Sequence, residues 1–274
     1  MKLELKELRS EGENTKSIFC FLKIKSNKYS IFIPSKNRAT NCITAQELLL
    51  EGTDFVIVVE PQDYADYKKV YSEKNLLMLN ENDKGIGYVR NFIKNYAAHK
   101  SLKYYWQIDD DLKFKKRIND KNEYHSASDM LSEIESYVDQ HSNIGIAGLR
   151  NQVFAWTLKS DMTFNIQCCA ANLVRSDMKA QYENEIVEDT DFNMQVLTEG
   201  FCTVTFDKLL FMTGTPGKNS GGCSGDTYYN KITQYQKNFI KKWGEGFVIN
   251  ETKDGTKLKG KGIWKSFKQK PLKN

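Results

Sequence analysis

The run Phe55-Val56-Ile57-Val58-Val59-Glu60 is apolar at five successive positions, rich in β-branched residues and bounded by Asp54 and Pro61. That composition predicts a short strand. A strand without polar alternation must be covered on both faces, which is the situation of a parallel strand inside an α/β sheet. The neighbouring sequence repeats the pattern. Tyr29–Ile33 predicts a strand, Pro34–Arg38 a turn, and Ala39–Glu51 a helix closed by Gly52. Gln62–Ser72 predicts a second helix, Leu76–Leu79 a third strand, Asp83–Asn91 the opening of a helix running to about His99, and Tyr104–Asp111 a further strand. Such short alternation points to an open sheet with right-handed crossovers. Ligands of such sheets bind at the carboxyl ends of the strands, where Pro34-Ser35, Glu60-Pro61 and Asp109-Asp110-Asp111 fall.

The second half is less regular. Ser128–His141 predicts an amphipathic helix capped by Ser126 or Ser128. Ile144–Leu149, Phe164–Val174 and Phe201–Met212 predict strands, and Glu188–Glu199 a helix ended by Gly200. Leu3–Lys6 and Ile18–Ile24 suit edge strands. With no internal repeat and no long linker, the simplest partition is 1–28 as N-terminal edge strands, 29–230 as one α/β domain and 231–274 as a basic extension.

In that extension twelve lysines face only Glu245, Glu251 and Asp254, so it carries +9 while the whole chain carries +5, and the body is net negative. A basic segment on an acidic body suits an anionic partner or a solvated tail. No apolar run approaches the roughly 20 residues of a membrane span, and the charged Met1–Glu7 does not resemble a signal peptide. The six cysteines lack CxxC pairing and the three histidines are far apart, which argues for reduced thiols, a cytoplasmic location and no compact histidine metal site.

Asp109-Asp110-Asp111 would repel one another unless a cation relieves them, and hard divalent ions prefer such oxygen ligands. A solvated acidic turn is the alternative. Lys84-Gly85-Ile86-Gly87 opens a helix whose free amides favour an anion, with Arg90 one turn in. Arg38 is a second phosphate candidate or a surface charge. Glu60 is a hydrogen-bond acceptor for a base or ribose, or a simple strand-end acid. Glu188 and Asp189 either stabilise the helix dipole they open or serve as general base to an acceptor hydroxyl. The glycine-rich Thr213–Asp226 segment, with Lys218, is a lid over a diphosphate or a linker.

The order strand-Pro34-Ser35-x-x-Arg38, strand-Glu60-Pro61, Gly85-Ile86-Gly87-x-x-Arg90-Asn91, Trp106-Gln107-Ile108-Asp109-Asp110-Asp111, then Glu188-Asp189 before a helix resembles a GT-A-fold nucleotide-sugar glycosyltransferase over about residues 29–225. More narrowly it is similar to the TET/JBP-associated glycosyltransferases, a group found largely in phages and thought to modify hydroxylated pyrimidines in DNA. The resemblance implies a Rossmann-like α/β domain with a mixed, mostly parallel sheet, a UDP-sugar donor and Mn2+ or Mg2+. It implies that Asp109 and Asp111 form an Asp-x-Asp metal pair, with Asp109 contacting the metal or the donor's ribose. Pro34, Ser35, Arg38 and Glu60 would line the nucleotide, Arg90 would face the diphosphate or sugar, and Asp189 would be the base of an inverting enzyme. Asp110 is expected to point away and to tolerate change.

Many such enzymes take a further metal ligand, commonly histidine, from the C-terminal part, and no histidine follows His141. Asp226 or water is the expected substitute. The extension's lysines, interleaved with Phe247, Trp264 and Phe267, give DNA a basic and aromatic surface. The alternatives are a polysaccharide, lipid or protein acceptor, a nucleotidyltransferase or metal-dependent nuclease, and a DNA-binding module without activity.

Overall fold

The computed structural model describes residues 27–157, 160–183, 187–213, 226–252, 255–260 and 262–274. A ten-stranded mixed sheet forms the centre. Its first half is the parallel set β3 (Leu76–Met78), β2 (Val56–Val59), β1 (Ile31–Pro34) and β4 (Tyr104–Ile108), in that spatial order. The set continues through β9 (Ala171–Arg175), β7 (Ile144–Asn151), β10 (Cys202–Met212), β5 (Lys113–Ile118) and β6 (Lys121–Tyr124), while β8 (Met162–Phe164) pairs with β10. Only β5, β8 and β9 run against the common direction. The expected mixed, mostly parallel α/β sheet is therefore present.

Side-chain alternation sorts two cores. Ile31, Ile33, Trp106 and Ile108 pack to one face with α1 (Ile43–Leu50), α2 (Tyr64–Val70) and α4 (Ala127–Val138). Phe32, Val58 and Tyr105 pack to the other with α3 (Ile86–His99) and α5 (Glu188–Thr198). Gly145 allows α5 its close approach, since a Cβ there would lie 2.5 Å from Val196.

Local chemistry sets the boundaries. Ser126 caps α4 by accepting the Asp129 N–H (3.2 Å), and Glu51 at the end of α1 accepts from Ala127 N and Ser128 N (2.8 and 3.0 Å). The expected single strand Phe164–Val174 is two, β8 and β9. Asn165 and Ala170 take left-handed φ of 51° and 62°. Between them Cys168 is clamped through both its backbone groups by the Asn193 amide (3.0 and 2.9 Å). The β5–β6 hairpin was not anticipated.

Residues 231–274 are not a loose extension where described. Helix α6 (Asp226–Trp243) and the hairpin β11 (Phe247–Thr252) and β12 (Gly255–Gly260) bring Phe239 and Phe247 onto Met194 of α5, with Trp243, Trp264 and Phe267 packed around them. The chain end is stitched to the body, with Ser142 N on Leu272 O (2.8 Å) and the Asn165 amide on Gln269 O (2.9 Å). The aromatic residues assigned to DNA stacking thus form a packing cluster, and exposed lysines such as Lys265, Lys268 and Lys270 remain outside it. Residues 1–26, which hold the expected edge strands, and Lys218 with most of the glycine-rich segment lie outside the described residues.

Buried Glu135 on α4 joins helix to sheet, accepting Trp106 Nε1–H (2.8 Å) and the N–H groups of Lys28 (3.0 Å) and Tyr29 (3.3 Å). Glu135→Ala orphans these donors and is expected to lower urea-unfolding stability by about 2–4 kcal/mol. A loss below roughly 1 kcal/mol would remove Glu135 as the clamp.

Candidate active site

The spatial order β3-β2-β1-β4 makes β1 and β4 the point where successive crossovers change direction, and a crevice opens beyond their carboxyl ends. Two ionic cradles stand there. In the first, the Ser35 hydroxyl just after β1 donates to Asp110 Oδ2 (2.5 Å), so the Tyr67 hydroxyl, 2.6 Å away, is the donor to Ser35. Arg38 pairs with Asp110 and holds Asp111 Oδ2 at 3.7 Å from the same nitrogen. Its backbone N–H donates to Tyr67 Oη (3.0 Å).

The acidic turn is gripped from the start of α1. Thr44 Oγ1 donates to the Asp109 carbonyl (2.5 Å) and accepts the Leu112 N–H (3.0 Å), and the Thr44 N–H reaches the Asp110 carbonyl (3.1 Å). Because β4 ends at Ile108, the three acids stand on a turn, and strand alternation does not govern their directions. Asp109 turns to Arg90, Asp110 is buried against Ser35 and Arg38, and Asp111 stays partly exposed on the Arg38 side. The expectation that Asp109 and Asp111 face one side with Asp110 pointing away is replaced on this geometry by Asp110 and Asp111 sharing Arg38 while Asp109 faces Arg90.

The second cradle centres on Arg90, placed by α3, whose N-cap Gly85 has φ 81° with Gly87 buried in the first turn. The Arg90 side chain is only 4% exposed; it pairs with Asp189, meets Asp109 Oδ1 at 3.1 Å and Glu188 Oε1 at 3.4 Å, and lies 5.6 Å from the Tyr182 ring centre. Tyr182 in turn stacks on Phe192 at 4.0 Å. Three carboxylates face the two terminal nitrogens of the guanidinium, so Arg90 acts as their shared counter-ion, while its buried Nε–H has no hydrogen-bond partner among the described residues.

Glu60, buried after β2, is neutralised by Lys36 (2.9 Å) and accepts from Gln62 (2.5 Å). Pro34 closes β1 beside Ser35. Lys84 stands apart, half exposed and paired with Glu81 at 2.9 Å. Asp191, from the same acidic run as Glu188, is a structural anchor: it accepts Trp243 Nε1–H (2.6 Å) and Lys242 (2.9 Å) and so holds α6.

Lys36, Tyr67, Tyr182, Asn193 and the buried Arg150–Asp207 pair (3.0 Å) escaped the sequence reading. Asn193 was reachable, since it lies one helical turn from Asp189 and donates to its carbonyl (2.7 Å). Tyr67 and Tyr182 carry no local signal.

Five carboxylates, Asp109, Asp110, Asp111, Glu188 and Asp189, thus share two guanidinium groups. Burial, with Asp189 adding and Arg90 opposing, pushes Asp109 and Glu188 up to about 7. Burial also raises Asp110, against the pull of Ser35 and Arg38. The site is short of positive charge, and Asp109 and Asp111 carry the hard oxygen donors that Mg2+ or Mn2+ takes as ligands. Among the described residues no three His, Cys, Asp or Glu side chains converge as a complete cage.

The molecule is thus a Rossmann-like α/β protein with acidic residues gathered at the switch point of its sheet. The sequence model of the TET-Associated Glycosyltransferase family matches residues 29–222, and the chain belongs to that family. It is a glycosyltransferase. No curated protein matches the chain.

Two outcomes follow from the cradles. Asp110→Ala removes a buried carboxylate and leaves half-buried Arg38 without its main counter-ion, and is expected to cost about 3 kcal/mol, against under about 1 kcal/mol for partly exposed Asp111→Ala. Equal melting temperatures for the two variants would contradict this division. Glu188 holds its proton more tightly in the folded state, about 7 against an ordinary 4.5, so its stabilising share is lost as pH rises through that window. Between pH 5 and 8 the melting temperature of Glu188→Gln should therefore decline less than that of the wild type, and equal declines would contradict the assignment.

Proposed function

We propose that this glycosyltransferase moves a sugar from a nucleoside diphosphate donor, UDP-sugar before others, to the hydroxyl of a hydroxymethylated pyrimidine in DNA. The observation that carries the reading is the surplus of carboxylates around Arg38 and Arg90 at the crevice beyond β1 and β4, within a family whose name ties it to TET. A surplus of carboxylates is unsuited to a diphosphate alone and suited to a diphosphate bridged to a divalent cation. Asp109 and Asp111 would hold that cation, with donor oxygens and water completing its shell. When bound it supplies charge neutralisation for the departing nucleoside diphosphate.

The chain's own groups do the rest. Ser35 and the backbone at the end of β1 line the nucleotide, and Glu60, already neutralised by Lys36, keeps an acceptor for its polar edge. Asp189, whose carboxylate pairs with Arg90 and whose backbone carbonyl accepts from Asn193, would take the acceptor hydroxyl proton. Arg90 fixes the spacing of that base and of Asp109 by binding both. Lys218, which lies outside the described residues, is proposed to close over the leaving diphosphate. No described helix is long and apolar enough to cross a membrane.

The test is incubation with labelled nucleotide sugars, Mn2+ and hydroxymethylcytosine DNA, read by mass spectrometry of the released nucleosides. A sugar-bearing pyrimidine is expected, and labelling of glycans in place of DNA would remove the acceptor assignment. Asp111→Ala should lower turnover about 10²-fold or more without lowering the melting temperature by more than a few degrees. Full transfer by that variant would remove the metal role.

A further inference from the structure

The acidic turn is followed at once by β5, which enters the sheet edge with the sequence Lys113-Phe114-Lys115-Lys116-Arg117-Ile118. Period-two alternation divides its side chains between two faces. Phe114 is buried in the core and Lys116 bonds Glu133 of α4 (2.7 Å), so this set faces α4. Lys113, Lys115 and Arg117 face the opposite side. There Lys115 Nζ lies 4.9 Å over the ring of Tyr124 on β6, and the Arg117 guanidinium lies 4.7 Å over the ring of Trp156.

Trp156 belongs to a short 3-10 segment, Gln152–Thr157, that leaves the carboxyl end of β7. β7 and β4 both run antiparallel to β9 and so point the same way. The segment therefore begins at the same edge of the sheet as the acidic turn, and Trp156 reaches back to Arg117 near the other end of β5. Trp156 is 66% exposed, Tyr124 64% and Phe154 55%, whereas the other aromatic side chains among the described residues are largely packed away. Among the described residues neither Lys113 nor Lys115 has a carboxylate partner, and that of Arg117 is the exposed Asp120.

We propose that this face, Lys113, Lys115 and Arg117 with Tyr124, Phe154 and Trp156, is where the acceptor DNA strand lies beside the active site. The inference rests on the DNA reading above and adds the contact surface. The cations sit at alternate positions of one strand, as a track for successive phosphates. The exposed rings of Tyr124 and Trp156 offer π-faces on which an unstacked base can lie, which sequence-tolerant single-strand binding requires. A C5 hydroxymethyl group lies in the major groove of a duplex, but a base can lie on these rings only when it is out of the stack, so a single-stranded or locally opened strand is the form that fits. A neutral glycan would use the rings and leave the cations without purpose. The C-terminal segment, by contrast, spends its aromatic residues on packing against α5.

The test is fluorescence anisotropy of a single-stranded hydroxymethylcytosine oligonucleotide titrated with the full chain at several salt concentrations. Trp156→Ala should weaken binding about 5- to 100-fold and abolish the part of the tryptophan quenching that accompanies it. Lys115→Ala should reduce the slope of log affinity against log salt by about one. The exchanges Lys265→Glu and Lys268→Glu on the C-terminal segment serve as the comparison, and thermal melts verify that each variant is folded. Wild-type binding that persists undiminished in Trp156→Ala and Lys115→Ala, or that is lost only in the C-terminal variants, overturns the surface and leaves the DNA acceptor standing. If the wild type binds no DNA, or binds a neutral glycan in its place, the DNA acceptor falls and the surface falls with it.

Discussion

Everything at the crevice depends on the charge of Arg90. One buried guanidinium is shared by Asp109 from the turn after β4 and by Glu188 and Asp189 from the first turn of α5. These acids are far apart in sequence and would repel one another at this range without it. A buried charge is tolerated only when paired, and this one is paired three times. Removing it would leave carboxylates that prefer to be protonated, as the upward displacement of Asp109 and Glu188 already indicates. Arg90 thus sets the shape of a site in which the negative charge still exceeds the positive.

The sheet explains why these groups meet. Strands buried on both faces have to be parallel neighbours with helices above and below, and the order β3-β2-β1-β4 leaves a gap between crossovers beyond β1 and β4. Ser35 and Arg38 leave β1 into that gap, and the acidic turn leaves β4 into it. Thr44 ties the two loops together by hydrogen-bonding the backbone of the acidic turn from α1. The antiparallel insertion of β9 brings α5 with its acids to the same place, because Asp109 N donates to Ala170 O (2.7 Å) at the start of that strand.

How much of this was legible depends on the range of the interaction concerned. The first three strands, their helices and the carboxyl-edge position of the acids follow from local hydrophobic period and turn chemistry, and the structure has them. The split of Phe164–Val174 was illegible because it is decided by two left-handed residues and by a clamp from Asn193 on a distant helix. The directions of the three acids were misjudged by extending strand alternation past the end of β4 at Ile108. The role of Arg90 as shared counter-ion could not be seen either, since pairing across ninety-nine residues to Asp189 leaves no trace in spacing.

The C-terminal residues show the same limit in composition. Lysines interleaved with aromatic residues occur both in the last forty-four residues and around β5, and the two stretches look alike as text. What separates them is the destination of the rings. Phe247 and Phe239 meet edge to face at 4.7 Å, and Trp243 donates to buried Asp191, so those rings are committed to holding α6 on α5. Tyr124 and Trp156 each carry a cation over one face, and burying that much ring surface would be favourable wherever a flat partner is available. A cation above an exposed ring keeps it ordered without filling its site, which is the arrangement that leaves stacking free for a ligand.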